Sequence, residues 1–251
     1  MTIIDKLTII KHSVQNIKTA LSNKGVAYGD ITTLATAIEN IQGNNNLPEG
    51  YIELSYLMKQ SSGSEFFDLN YKANLNTKIV LDFEITSWAS NSTQGLFGYF
   101  GGSSPLSFCI NLWNWSTAGS NKVSSAAALS KSNSGVIEYL TIELNKRYIY
   151  TLDTNKYTVN DIIIATYSEQ QDISSEENLY LFKINSTDPT YTSAKASTSG
   201  KVYSLKIYES DVLVRDFVPV QRKDSLEYGL YDKINGFYLS PSSATAFTGG
   251  V

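Results

Sequence analysis

The chain is poor in the residues that most enzymes and metalloproteins work with. Of its 251 residues one is cysteine, Cys109, and one is histidine, His12. A single cysteine excludes a disulfide framework and a thiolate metal cluster, and it carries no information on redox compartment. A single histidine near the N-terminus excludes a histidine-bearing nucleophile triad, and a two- or three-histidine metal centre, from the remainder of the chain. Arginine is scarce as well: Arg147, Arg215 and Arg222 are the only three, and the net charge is −4. Nucleic-acid binding needs a basic footprint, which is missing. No stretch of about 18 apolar residues exists to form a membrane-spanning helix. The opening residues MTIIDKLTIIKH carry Asp5 and Lys6 inside their apolar run, so they do not read as a secretory signal.

What is present is ordinary in proportion and rich in aromatics. Hydrophobic residues make up 42% and charged residues 18%, as expected of a soluble globular protein. Seventeen tyrosines and three tryptophans favour β structure. The length suits one large all-β domain plus a small extra module.

That module is expected over residues 1–43. Ile3, Leu7, Ile10, Val14, Ile17 and Leu21 recur at alternating spacings of four and three, a heptad seam. Thr2 and Asp5 resemble a capping box, and Gly25 supplies a stop. Asp30 can cap a second helix carrying Ile31, Leu34, Ala35, Ile38 and Ile41 on one face, ended by Gly43. A helical hairpin of about forty residues sits at the size below which small folds usually need a metal, a disulfide or a partner. The seam is therefore read as an oligomerisation or attachment surface; the alternative is a hairpin packed on its own domain. The heptads are compatible with a dimer as well as with more strands. His12 falls off the seam and is read as solvated. Residues 44–50, with three asparagines, Pro48 and Gly50, form a linker.

From residue 51 the pattern changes to short strands separated by Ser-, Asn-, Thr- and Gly-rich turns. Strands are expected at Tyr51 to Leu57, Thr77 to Trp88, Gly95 to Phe100, Leu106 to Trp113, Val123 to Leu129, Val136 to Leu144, Tyr148 to Leu152, Ile162 to Tyr167 and Leu179 to Asn185. Glu65 to Leu69 reads as short and extended, and Asn185 to Gly200 as a polar loop. The stretch Lys201 to Ser240 reads as two consecutive hairpins. Tyr203, Leu205 and Ile207 alternate with polar residues, Glu209-Ser210-Asp211 turns, and Val212 to Val218 runs to a stop at Pro219. Leu226 to Ser240 folds back at Asn235-Gly236, a strong hairpin signal because both residue types accept positive φ. Many short strands with frequent turns predict a β-sandwich or jelly roll.

Several of these segments carry a resemblance. Tyr51-Ile52-Glu53, Glu65-Phe66-Phe67-Asp68 and Lys78-Ile79-Val80-Leu81-Asp82-Phe83-Glu84 resemble the start of a concanavalin A-like (laminin G-like) jelly roll. KVYSLKIYESDVLVRDFVPVQRKD, GLYDKINGFYLS and FTGG are similar to its closing hairpins. The resemblance implies a mainly β chain, an antiparallel jelly-roll sandwich over 51–251 preceded by an α-helical hairpin or short coiled coil. Such domains are common in surface and virion proteins of Bacteroidales and their phages. IKTALSNKGVAYGDITTLATAIENI resembles the leading segment of phage head and tail appendage proteins. The implied role is structural: a head or tail fibre or decoration protein of the virion, a homo-oligomer (a trimer by analogy with such fibres), contacting other virion proteins. The fold carries lectins, hydrolases and inert spacers alike, so a lectin-like module of a bacterial cell is the alternative reading.

The expected site is non-catalytic and without cofactor. Glycoside hydrolysis needs two carboxylates flanking a cleft, roughly 5 to 9 Å apart. The hydrolase branch of the resembled fold carries its acids as Glu-x-Asp-x-x-Glu, and no such spacing occurs here. Asp82 and Glu84 share a strand face that reads as solvated. Asp153, Asp161 and Asp188 are available for calcium, yet no spacing matches a dedicated loop, so no metal is expected. The expected glycan surface is the strand Phe108 to Trp115. There Phe108, Ile110 and Leu112 would face the core, and Asn111, Trp113 and Trp115 would share the open face as an apolar platform with an amide. The alternative is that the tryptophans cap the sandwich edge or pack on another subunit.

Overall fold

The structure, a computed structural model, describes residues 14, 17–19, 47–60, 63–87, 93–101, 107–113, 122–130, 139–166, 176–187 and 198–251. The chain divides into two compact units, Met1–Leu47 and Pro48–Val251. Of the first unit, residues 14, 17–19 and 47 are described; residues 14 and 17–19 are helical, with Val14 half-buried and Ile17 exposed. The seam positions Ile3, Leu7, Ile10 and Leu21, His12, and the expected second helix lie outside the described residues.

The second unit is built from β1 (Tyr51–Glu53), β2 (Tyr56–Lys59), β3 (Phe67–Asp68), β4 (Thr77–Ser87), β5 (Thr93–Phe100), β6 (Ser107–Trp113), β7 (Lys122–Ser130), β8 (Tyr139–Glu143) and β9 (Arg147–Leu152). It continues with β10 (Lys156–Val159), β11 (Ile162–Thr166), β12 (Tyr180–Leu181), β13 (Asn185–Ser186), β14 (Ser199–Glu209), β15 (Val212–Arg222), β16 (Tyr228–Asp232), β17 (Phe237–Leu239) and β18 (Phe247–Gly250). The described strands form two sheets. The larger runs β11-β10-β9-β4-β14-β15-β16-β17, with β1 on β15, β2 on β14 and β18 on β2. The smaller runs β3-β12-β5-β6-β7-β8, with β13 on β5. The β13–β5 pair is parallel; the other described pairs are antiparallel.

Alternation decides which face each strand buries. In β4, Thr77, Ile79, Leu81, Phe83 and Ile85 are buried, while Lys78, Val80 and Asp82 point the other way and are half-exposed. β9 does the same with Tyr148, Tyr150 and Leu152 inside and Thr151 outside. The buried faces of both sheets share one core. Phe83 and Phe247 from the larger sheet meet Phe67 from the smaller one and Phe182, which directly follows β12. Ring centroids lie 4.9 Å apart for Phe67–Phe247, and 5.3 Å apart for both Phe83–Phe182 and Phe182–Phe247. Burying one such ring stabilises by about 2 to 3 kcal/mol. Phe182 is held there with φ +68, its N–H donating to the Leu96 carbonyl and its carbonyl accepting from Thr198.

Four sequence expectations need correction. The strand expected over Leu179 to Asn185 is interrupted at residues 182–184, leaving the short β12 and β13. The strand expected over 51–57 breaks at Leu54 and Ser55 into β1 and β2, which pair with different partners, β15 and β14. β15 does not stop at Pro219 but runs on to Arg222. A residue in a strand points its N and its carbonyl to the same side, and the Pro219 carbonyl accepts from Leu54 N–H at 3.0 Å. The missing N–H of proline therefore faces the break between β1 and β2, where no ladder bond is required of it. The Asn235-Gly236 hairpin exists, but as a four-residue turn, Lys233 to Gly236, rather than a two-residue one. Gly236 alone has positive φ, +72, and buried Asp232 accepts from the N–H groups of Ile234 and Asn235. In addition, β10 had no counterpart in the sequence reading. Four residues with two apolar positions are too short to show a period.

Candidate functional site

The outer face of the larger sheet carries two contrasting regions. The first is a closed polar network. Arg147 donates to both oxygens of Asp82 at 2.6 Å and lies 3.9 Å from the Tyr203 ring centroid. Tyr203 Oη and Lys201 Nζ donate to the two oxygens of Glu84 at 2.7 and 2.9 Å. Burial pushes the Glu84 carboxyl up, but these two hydrogen bonds and the nearby Arg147 charge outweigh it and hold the pKa below the usual range. Burial, then the bond to Glu84, pushes the Tyr203 hydroxyl up to about 12. These groups satisfy one another, so the outer face here is an internally paired ladder in which Arg147 is exposed and Glu84 is buried.

The second region is a groove of about 680 Å³ lined by Lys78, Val80, Thr151, Asp153, Lys156, Thr158, Asp161, Tyr208 and Asp211. Strand register builds its floor. Ile163 pairs with Thr158, Thr158 with Thr151, Thr151 with Val80, and Lys78 with Tyr208 one step further along. β10 runs along the groove, with Asp153 just before it and Asp161 just after it. An adjoining hollow of about 230 Å³ adds Asn76, Thr154, Asn155 and Ser210 and shares Lys78, Asp153 and Asp211.

Two tight turns present the acids. Ser210 and Asp211 have φ +48 and +63 between paired Glu209 and Val212; Asn160 and Asp161 have φ +49 and +63 between paired Val159 and Ile162. Positive φ at both central residues matches the right-handed twist of the flanking strands. Lys78 Nζ pairs with the Asp211 carboxylate, lowering that pKa, and lies 4.9 Å from the Tyr208 ring centroid. Asp153 Oδ1 accepts from the Thr154 N–H at 2.7 Å. Among the described residues, no side chain pairs with Lys156 or Asp161. The groove thus offers a half-buried aromatic ring, hydroxyls and ions of both signs, and the adjoining hollow adds amides.

The sequence-predicted surface is placed differently. Phe108, Ile110 and Leu112 are buried as expected, but so are Cys109 and Asn111 on the other parity of β6; Asn111 is 3% exposed. Its Nδ2 lies 3.5 Å from Cys109 Sγ. Asn111 therefore does not stand on an open face. Trp113 ends β6, with its backbone paired to Thr93 and Ser124; its side chain, Trp115 and Trp88 lie outside the described residues. Of the acids considered for calcium, Asp153 and Asp161 meet in the groove, and Asp188 lies outside the described residues. No set of three His, Cys, Asp or Glu residues able to hold a metal occurs among the described residues. Sequence reasoning missed the groove because its lining comes from three distant segments, 78–80, 151–161 and 208–211.

No family model matches the sequence, and no curated protein matches it. Among solved structures, the chain is similar to a protein from Bacteroides ovatus ATCC 8483 whose proposed role is carbohydrate binding. That match has 8% identity and a TM-score of 0.47, over 79% of this chain and 61% of the other. It is also similar to the IT-sialidase CBM40 of Ruminococcus gnavus bound to α2,3-sialyllactose, at 17% identity and TM-score 0.41, over 65% and 92%. A variant of alginate lyase A1-II′ matches at 10% identity and TM-score 0.35, over 57% and 66%. At these identities and scores the matches assign neither ligand nor activity.

Proposed function

We propose that the β-sandwich is a non-catalytic glycan-binding module of the concanavalin A-like jelly-roll type, and that the chain serves as a structural fibre or decoration protein of a phage virion. The observation that carries the binding part is the groove around Tyr208. An apolar ring suits the C–H face of a sugar, and the flanking Thr151, Thr158, Lys156 and Asp161 suit its hydroxyls. The virion part rests on the resemblance of residues 17–41 to the leading segment of phage head and tail appendage proteins, and on how common concanavalin A-like domains of the resembled kind are in virion proteins. In this reading residues 1–43 assemble or attach copies, and multiple sandwiches raise a weak single-site affinity by avidity. The test is co-sedimentation of the tagged full chain with phage particles, paired with light scattering. An oligomer that co-sediments supports the reading. A monomer that stays in the supernatant but binds glycan favours the lectin-like bacterial module instead.

A further inference from the structure

We infer that the groove selects neutral, hydroxyl-rich saccharides and rejects acidic ones such as uronates and sialosides. The inference rests on the glycan-binding reading above and names the ligand class of that same groove. Its ionisable lining is two cations, Lys78 and Lys156, against three carboxylates, Asp153, Asp161 and Asp211, a net charge of −1. One cation is already committed: Lys78 pairs with Asp211. Lys78 and Asp211 neutralise each other, so a ligand carboxylate would meet Asp153 and Asp161 against Lys156, the same net −1, and such fields reach about 10 Å at 0.1 M salt.

The usual device for gripping a carboxylate is also missing. Planar two-point recognition of an acid depends on arginine, and the three arginines of the chain are engaged elsewhere. Arg147 holds Asp82, Arg222 holds Asp224 at 2.6 Å, and Arg215 lies 3.5 Å from Asp232. Sugar hydroxyls fit what remains. Carboxylates accept from them, Thr151 and Thr158 donate or accept, and the Asn76 and Asn155 amides in the adjoining hollow do both.

The experiment is calorimetric titration of the full chain at low salt with two probe sets. The neutral set is the hexamers of glucose, mannose and N-acetylglucosamine; the acidic set is hexagalacturonate and α2,3-sialyllactose. At least one neutral oligomer is expected to bind, and Tyr208→Ala to weaken it by about tenfold. The acidic probes are expected to bind at least about tenfold more weakly. Replacing both Asp161 and Asp211 by asparagine, which tolerates the left-handed turns, changes the groove from −1 to +1. That variant is expected to gain about tenfold for hexagalacturonate with an unchanged melting temperature. An acidic oligomer that binds the unmodified chain as tightly as the best neutral one overturns the inference while leaving glycan binding intact. Neutral binding that ignores Tyr208→Ala overturns its assignment to this groove. Silence of both probe sets overturns the glycan-binding reading itself.

Discussion

Lys59 points into the sandwich beside Leu57, fully buried, with its ammonium donating to the Gly63 carbonyl at 2.9 Å and 3.5 Å from Glu65 Oε2. Burial lowers its pKa against the opposing pull of Glu65. A lysine with a lowered folded pKa costs stability below that value, and the cost is relieved as pH rises toward the unfolded value of about 10.4. Lys59→Met keeps the packing volume and removes the buried charge. It is expected to unfold within about 1 kcal/mol of the unmodified chain at pH 7, and to abolish the rise in stability on going from pH 7 to about pH 10. Urea titrations at the two pH values check this; a loss above about 3 kcal/mol would show that the ammonium is an essential strut. Glu84 has the opposite sign. Its depressed pKa contributes stability that is present above the unfolded value of about 4.3 and is lost as pH falls through the folded value. Lys201→Met is therefore expected to cost about 1 to 2 kcal/mol at pH 7 and close to nothing at pH 2, read from the same kind of titration.

At the scale of elements, the turns between strands carry more of the design than the strands do. Asp232 is fully buried and acts as an internal cap for the β16–β17 turn. Its Oδ1 accepts from the N–H groups of Asp216, Ile234 and Asn235, and its Oδ2 accepts from the Asn235 side chain at 2.7 Å. Asp232→Ala strands those donors and the neighbouring Arg215, and is expected to destabilise by about 3 kcal/mol or more. Asp232→Asn, which keeps one acceptor, is expected to lose less. Thermal melts of the two variants separate these outcomes, and equal losses would assign the effect to charge rather than to capping. The Ser210-Asp211 and Asn160-Asp161 turns matter for another reason. They place side chains at positions where glycine would be easiest, and both carboxylates line the groove.

For the whole molecule, the question is whether the N-terminal segment and the sandwich act as separate parts. The boundary at Leu47–Pro48 falls within the linker expected from composition. Deleting residues 1–43 is expected to leave a monomer by light scattering, while the full chain runs as a discrete oligomer. The melting temperature of the sandwich is expected to change by less than about 4 °C, because its core lies within residues 57–247. A full chain that is already monomeric would remove the seam reading.

Much of the fold was legible in the sequence, and little of the groove was. Alternation identified the buried face of Thr77–Ser87, because the two-residue side-chain period of a strand is local information; in Ser199–Glu209 it placed Leu205 and Ile207 but not Tyr203, which a bulge between Val202 and Ser204 turns to the outer face. Turn residues marked most strand ends for the same reason. The break at Leu54, the passage of β15 through Pro219 and the short β10 depend on which strand lies alongside, and pairing partners are not written in local pattern. The burial of Asn111 likewise reflects cover on both faces of β6, which alternation alone cannot reveal. The groove is the clearest case. Lys78, Thr151, Asp161 and Tyr208 meet only because the order β10-β9-β4-β14 sets distant segments side by side. Composition determined that this chain has one histidine, one cysteine and three arginines; only the sheet order decided where its other polar groups converge.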